Sequence, residues 1–259
     1  MSEAHRARKR FGQHFLIDRA CIRRILEAVD PRPGEHVVEI GPGLGALTDG
    51  LLERVEHLDL IEIDRDLAQR LASRYPPSRV SVHVEDALKI DYHALGERLR
   101  IVGNLPYNIS SPLLFRLSES AAAIVDIHAM LQKEVVDRMS AAAGSRDYGR
   151  LTVMIGYRFH VERLFRVGSG AFRPQPKVES AFVRLRPRSP LTWQARDEKL
   201  LSRIVAAAFG QRRKTLRNAL ATVVSEEELR AAGFDPRSRG ETLSIEQFVA
   251  LANAVARLG

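Results

Sequence analysis

The chain has 259 residues, 45% of them hydrophobic, and a formal charge of +8 with a pI near 10.0. That hydrophobic content excludes a wholly disordered chain, and no apolar run approaches the ~20 residues of a membrane helix. The single cysteine, Cys21, excludes an internal disulfide framework and fits a reducing compartment.

The first ten residues are basic, and Phe11-Gly12-Gln13-His14 follows them instead of the apolar core of a secretory signal. A soluble, cytoplasmic protein is expected, with no membrane partner. The positive charge is carried mostly by arginine, whose planar fork of donors matches phosphate. A polyanion is therefore the expected partner class, and charge alone does not choose between nucleic acid and an anionic membrane.

In chain order, Asp18 is a candidate N-cap for a helix reaching Val29, and residues 31–34 form a turn. Short β-branched runs at 37–40, 58–63, 80–84, 99–102 and 124–131 then alternate with helical patterns at 47–54, 66–74 and 112–118. This rhythm predicts βαβ units and a parallel sheet covered on both faces. Runs at 151–157 and 181–185 read as further strands, flanking a Gly- and Pro-rich loop, "FRVGSGAFRPQPKVES". Beyond Pro187 only helical patterns remain, at 197–209, 212–223, 226–232 and 245–258. Ser225 with Glu228 forms a capping box, Ser244 is a second N-cap, and Gly233 is a helix stop. The expected organisation is an α/β domain over 1–187 and a small all-α domain over 188–259.

"VVEIGPGLGALT" leaves the first of these β-runs and opens a helix. Gly41, Gly43 and Gly45 allow a sharp turn and close approach of a ligand to the backbone. Glu62, 17 residues after Gly45, ends the next strand, where a carboxylate accepts from ribose hydroxyls. Asp64 is a rival on the same face. Asp86 ends the third strand, where it would accept from an adenine amine; its local alternative is a helix N-cap. Together these features specify an adenosine-bearing cofactor at the carboxyl edge of the sheet. No GxxxxGK[ST] is present, so a P-loop is excluded; a dinucleotide and S-adenosylmethionine both remain.

The end of the fourth strand, "IVGNLPYNISSPLLF", separates them. An adenine N6 lone pair is delocalised into the ring and is a poor nucleophile. Two acceptors aimed at its two protons favour a pyramidal nitrogen with a localised pair. Asn104 supplies a side-chain oxygen and Leu105 a backbone carbonyl. Pro106 restrains the residue before it, and Tyr107 offers a stacking face. A dehydrogenase, for which Gly41, Gly43 and Ala46 alone would argue, has no use for this set.

Asn104-Leu105-Pro106-Tyr107 matches the Asp/Asn/Ser, Ile/Leu/Pro, Pro, aromatic motif of amino methyltransferases. With "GQHFLID", "EIGPGLGALT", "YGRLTV", "FRPQPKVES" and "FGQRRKTLRNAL", the sequence resembles the 16S ribosomal RNA dimethyladenosine transferase family from Phe11 through the helical tail. The resemblance implies a class I methyltransferase Rossmann-like domain followed by a helical domain. It also implies dimethylation of N6 on two adjacent adenosines near the 3′ end of small-subunit rRNA, with S-adenosylmethionine as donor. His14 and Leu16 would then close over the cofactor. Gly41 would border its methionine end, Glu62 its ribose and Asp86 its adenine, with Gly43 also binding the cofactor, and Asn104 would touch both cofactor and target amine. Phe172 would cover the other face of the target base; read locally, it is a ring packed under its loop.

Arg212, Arg213, Lys214 and Arg217 lie within two helical turns, with Arg213 and Arg217 on one face, and Arg6–Arg10 adds a second basic cluster. The target adenines must leave their stack to reach Asn104, so RNA shape selects the site. No HExxH or CxxC is present and no metal is expected; a C5 methyltransferase would need a nucleophilic cysteine, and Cys21 reads as core. The expected partner is 16S rRNA in the 30S subunit or its precursor, with the protein a monomer. The alternatives are a non-catalytic RNA-binding assembly factor, a nicotinamide dehydrogenase and a large-subunit rRNA methyltransferase.

Overall fold

The computed structural model describes Arg8 and residues 12–257. A two-residue strand β1 (Phe15–Leu16) leads into α1 (Arg19–Val29), whose N-cap Asp18 accepts from the N–H groups of Ala20 and Cys21. The βα alternation follows as β2 (His36–Ile40), α2 (Thr48–Leu52), β3 (Leu58–Ile61), α3 (Arg65–Arg74), β4 (Val80–His83), α4 (Tyr92–Leu95), β5 (Leu99–Asn104), α5 (Ser110–Glu119) and β6 (Ile124–Gln132). Next come α6 (Lys133–Met139), α7 (Arg150–Arg158), β7 (Phe159–Val167), β8 (Phe172–Arg173) and β9 (Ser180–Pro187). The chain ends in α8 (Glu198–Gly210), α9 (Leu216–Leu220), α10 (Glu226–Ala231) and α11 (Ile245–Val255).

Seven strands form one sheet in the order β4-β3-β2-β5-β6-β9-β7, and β1 pairs with β8 separately. The pairs among β2 to β6 are parallel, as the sequence predicts, because helical crossovers join them. β9 adds antiparallel to β6, which makes the sheet mixed. The strand order reverses between β2 and β5, which opens a crevice beyond their carboxyl ends.

The chain divides into two units, Met1–Val136 with Val161–Pro187, and Asp137–His160 with Arg188–Gly259. The boundary at 187 is therefore joined by an excursion at 137–160, and β7 begins where that excursion ends. The second unit carries 16 Arg and Lys against 10 Asp and Glu, a net +6 of the chain's +8. Its core packs Val153 and Tyr157 with Leu201, Ile204, Leu216 and Phe248.

The run at 151–157 is a helix, not the expected strand. Leu151, Thr152, Val153, Ile155, Gly156 and Tyr157 are all buried, so both faces are apolar and periodicity cannot separate strand from helix. The helix is decided by its start and its packing. Thr152 Oγ1 accepts from the Gly149 N–H at 3.1 Å, and a Cβ on Gly156 would lie 2.6 Å from Ile245. The helix expected over 212–223 shrinks to α9. The Leu216 and Arg217 N–H groups donate to Ser238 and Pro236, so the preceding residues turn instead. The predicted Gly- and Pro-rich loop is shorter than expected, since β7 runs to Val167 and β8 occupies Phe172–Arg173. Among the described residues no helix is long and apolar enough to cross a membrane.

In the first unit, Arg100 ties the sheet to α1. Its side chain, in a residue 8% exposed, donates to both oxygens of Asp126 (3.1 and 2.8 Å), to Glu35 (2.6 Å) and to the Val29 carbonyl at the end of α1 (2.8 Å). Removing one partner of such a pair strands the other charge. Arg100→Ala is expected to lower unfolding free energy by about 3–5 kcal/mol in urea titrations. A loss under about 1 kcal/mol would show that the network is solvent-compensated.

Candidate active site

The site lies where β2 and β5 end side by side. The register pairs Ile40 with Gly103 and Ile40 with Ile61, so Gly41, Glu62 and Asn104 leave three neighbouring strands at one level. Gly41 and Gly43 have φ of +68° and +57°, a region L side chains rarely adopt, and a Cβ on Gly43 would lie 3.0 Å from the Phe15 ring. The turn leaves a cleft lined by Gly12 to Leu16, the glycine loop, Glu39, Glu62, Ile63 and Asn104 to Tyr107.

Asn104 is oriented by the chain's N-terminal segment. Its Nδ2 donates to the His14 carbonyl at 2.7 Å, an acceptor that assigns the amide and leaves Oδ1 on the other side. The Pro106 carbonyl is taken by the Ile109 N–H and the Ser110 hydroxyl, both at 3.1 Å. No donor among the described residues takes the Leu105 carbonyl, while the Leu105 N–H is fixed to the Met130 carbonyl at 3.2 Å. Two adjacent acceptors, Asn104 Oδ1 and Leu105 O, are thus held on a rigid strand end without partners. Tyr107 is fixed by its hydroxyl on Ser180 Oγ (2.5 Å), and one ring face stacks on His14 at 5.3 Å and 27°.

Glu62 is 5% exposed. Its oxygens accept from the Gly43 N–H at 3.2 Å and the Asp64 N–H at 2.9 Å, and a carboxylate has acceptor sites beyond these two. Burial raises its pKa, and those N–H groups oppose the rise. Asp64, the rival acid, is fully buried and caps α3 while accepting from Arg8 and Gln13. Those bonds commit it to structure, so Glu62 is the acid facing the cleft. Glu39, which sequence reasoning passed over, also lines the cleft. It is 2% exposed, accepts from Thr48 Oγ1 at 2.7 Å, and burial pushes its carboxyl up to about 7. Its signal was a charge inside an otherwise apolar strand. Ile63 was missed as well; this cleft-lining side chain is 43% exposed and offers an apolar face beside Glu62.

Several expected site residues make contacts of their own outside the cleft. Phe172 is 1% exposed and packs in the core with Leu16 and Phe182; the β1–β8 ladder pairs it with Leu16 and turns its ring inward. Its local reading as a ring under the loop is the one observed. Asp86 does not line the cleft, and its Oδ1 caps the following turn through the Leu88 N–H at 3.0 Å. In the second unit, Arg212 turns inward to Glu241 (2.8 Å) and the Ser145 carbonyl (2.9 Å). Arg213 precedes α9, so it shares no helical face with Arg217, which lies 3.5 Å from Glu226. Arg213 and Lys214 are exposed and have no acid partner among the described residues. The basic run Arg6–Arg10 lies, apart from Arg8, outside the described residues. Cys21 packs partly into the core and burial raises its thiol to about 11, which matches its reading as an unreactive side chain.

The raised Glu39 pKa fixes the sign of a pH effect. The folded state holds the proton more tightly than an ordinary carboxyl of 4.5, so this contribution is complete below 4.5 and is lost as pH rises to about 7. Relative to Glu39→Gln, the ligand-free wild type should lose thermal stability across that window and stay level above it. A melting-temperature gap independent of pH would contradict the assignment.

A family model described as ribosomal RNA adenine dimethylase matches residues 4–257. The chain is 59% identical over 256 residues to the ribosomal RNA small subunit methyltransferase A of Aromatoleum aromaticum, covering 99% of this chain and 96% of that protein. It is 55% identical over 258 residues to the protein of the same name from Pseudomonas aeruginosa, covering 98% and 96%. Among solved structures, the 23S rRNA methyltransferase ErmE is 29% identical with a TM-score of 0.67, over 93% of this chain and 99% of that one. A dimethyladenosine transferase from Plasmodium falciparum shares the fold at 24% identity and a TM-score of 0.76, over 92% and 96%. With a family model that matches residues 4–257 and relatives more than 50% identical over nearly their whole length, this chain belongs to the ribosomal RNA adenine dimethylase family.

Proposed function

We propose that the protein transfers methyl groups from S-adenosylmethionine to N6 of two adjacent adenosines near the 3′ end of 16S rRNA, within the small subunit or its precursor, in the cytoplasm and as a monomer. The observation that carries this reading is the pair of unpartnered acceptors, Asn104 Oδ1 and Leu105 O, beside the Tyr107 ring.

The residues fit the donor. The cleft brings apolar side chains together with a few polar groups, as sites for nucleoside-bearing ligands do. Gly41 and Gly43 remove the Cβ atoms that would bar approach to the loop, Glu62 offers lone pairs to ribose hydroxyls, and Ile63 offers an apolar wall to a flat base. When bound, S-adenosylmethionine supplies a methyl group already activated by its sulfonium.

The chain's own part is positioning. Asn104 Oδ1 and Leu105 O accept the two N6 protons and localise the nitrogen lone pair toward the donor, and Tyr107 stacks on the extruded base. Extrusion costs a few kcal/mol, which favours unpaired or loop adenosines. Exposed Arg213 and Lys214 suit phosphate contacts, whereas Arg212 serves the fold of its own unit.

Asn104→Ala removes one acceptor and frees the His14 carbonyl. Its kcat on undermethylated small subunits should fall roughly 100- to 1,000-fold, the scale of one lost transition-state hydrogen bond. Mapping dimethyladenosines on both rRNAs, with and without the protein, tests the target; marks confined to the large subunit would overturn it. Full activity of the Asn104→Ala protein would overturn the mechanism.

A further inference from the structure

We propose that the segment joining β8 to β9 is a phosphate clamp, in which Arg173 and Lys177 hold the RNA backbone on the two sides of the extruded adenosine. This rests on the functional reading above.

Both ends of the segment are anchored to the stacking residue. At its start, the Pro174 carbonyl lies 2.6 Å from His14 Nδ1, and the His14 ring stacks on Tyr107. At its end, Ser180 Oγ binds the Tyr107 hydroxyl at 2.5 Å. Arg173 is paired with Phe15 across the β1–β8 ladder, and Phe15 lines the cleft. The backbone between them thus frames the mouth where a base would enter, and the Glu179 carbonyl pins it to the Lys133 N–H at 2.9 Å.

Apart from Pro176, the side chains between Arg173 and Glu179 face solvent. Arg173 and Lys177 are exposed and have no acid partner among the described residues. Some other cations of the same unit are paired, as Arg74 is with Asp49, Arg116 with Glu119 and Arg184 with Glu162, so it is the position of Arg173 and Lys177 beside the cleft that sets them apart. Val178, next to Lys177, leaves a large apolar side chain 41% exposed, which suits contact with a sugar or base. The segment's own acid, Glu179, is exposed beside Ser180.

The electrostatics of the cleft call for such cations. Glu39 and Glu62 are buried in it, and an RNA phosphate drawn toward the mouth meets negative charge whenever either is ionised, Glu39 above about pH 7. Turning a nucleotide out about its backbone brings its flanking phosphates to the rim. Two unpaired cations there offset the repulsion and fix the register of the strand.

The test compares wild type, Arg173→Ala/Lys177→Ala, Lys177→Gln, and the exchanged Arg173→Lys/Lys177→Arg protein. Each is assayed for kcat and KM on undermethylated small subunits between about 50 and 200 mM salt. Binding of S-adenosylhomocysteine by calorimetry reports an intact cleft. The double variant should raise KM at least about tenfold, with the loss falling on KM more than kcat, and should flatten the slope of log KM against log salt by roughly 1.4, the value for two single-strand phosphates. Lys177→Gln, at an exposed position outside the ladder, should flatten it by roughly half as much, so the test survives if the double variant fails to bind S-adenosylhomocysteine. The exchanged protein should recover most of the KM. An active wild type with unchanged KM and slope in the variants overturns the clamp alone. A wild type that leaves small subunits unmethylated overturns the functional reading and the clamp with it.

Discussion

The parallel pairing of β2 with β5 sets the position of every group in the cleft. The register brings Ile40 level with Gly103, and a Cβ at position 103 would lie 2.4 Å from the Ile40 carbonyl oxygen. Only a residue without a side chain lets these strands stay paired to their ends. Beyond that point they part. Gly41 bends away with its N–H on the Ile61 carbonyl at 2.9 Å, and Asn104 continues along β6 before Pro106 turns the chain. The crevice at the reversal of strand order is the consequence, and both the glycine loop and residues Asn104 to Tyr107 line it.

The wall of the cleft comes from a different source. Residues 12–16 belong to no strand of the main sheet, yet they hold the site together. The His14 carbonyl orients the Asn104 amide and the His14 ring covers one face of Tyr107, while Phe15 closes on Gly43. Gln13 and Arg8 bind Asp64, and Arg8 also reaches Asp66 at the start of α3. Together with Arg8, the segment is pinned by polar bonds to the end of β5 and the start of α3 and by a two-residue ladder to β8. The orientation of the Asn104 amide thus depends on a carbonyl 90 residues away in sequence.

Local periodicity reveals the strands of the parallel sheet, because short β-branched runs between helical patterns have few other folds. It fails at residues 151–157, which are apolar on both faces and become α7. It fails differently at Arg212. A basic run reads as a solvated or phosphate-binding face, but Glu241 and the Ser145 carbonyl draw that guanidinium inward, and Arg213 and Lys214 are left outside. Asp86 and Phe172 each had a local reading beside a ligand-binding one, and in both cases the local one describes the contact observed.

What the sequence determines by itself is the chemistry on offer: glycines where a backbone must turn, an acid after the second β-run, and an amide, a carbonyl, a proline and an aromatic ring in consecutive positions. These are properties of residue type and spacing, and they survive without coordinates. The tertiary structure decides which acids are free and which are spent. Asp64 is consumed by the N-terminal segment, Glu62 keeps lone pairs toward the cleft, and Glu39 joins the cleft from a strand that reads as core. Such choices rest on burial and on hydrogen-bond partners distant in the chain, and no local pattern encodes either.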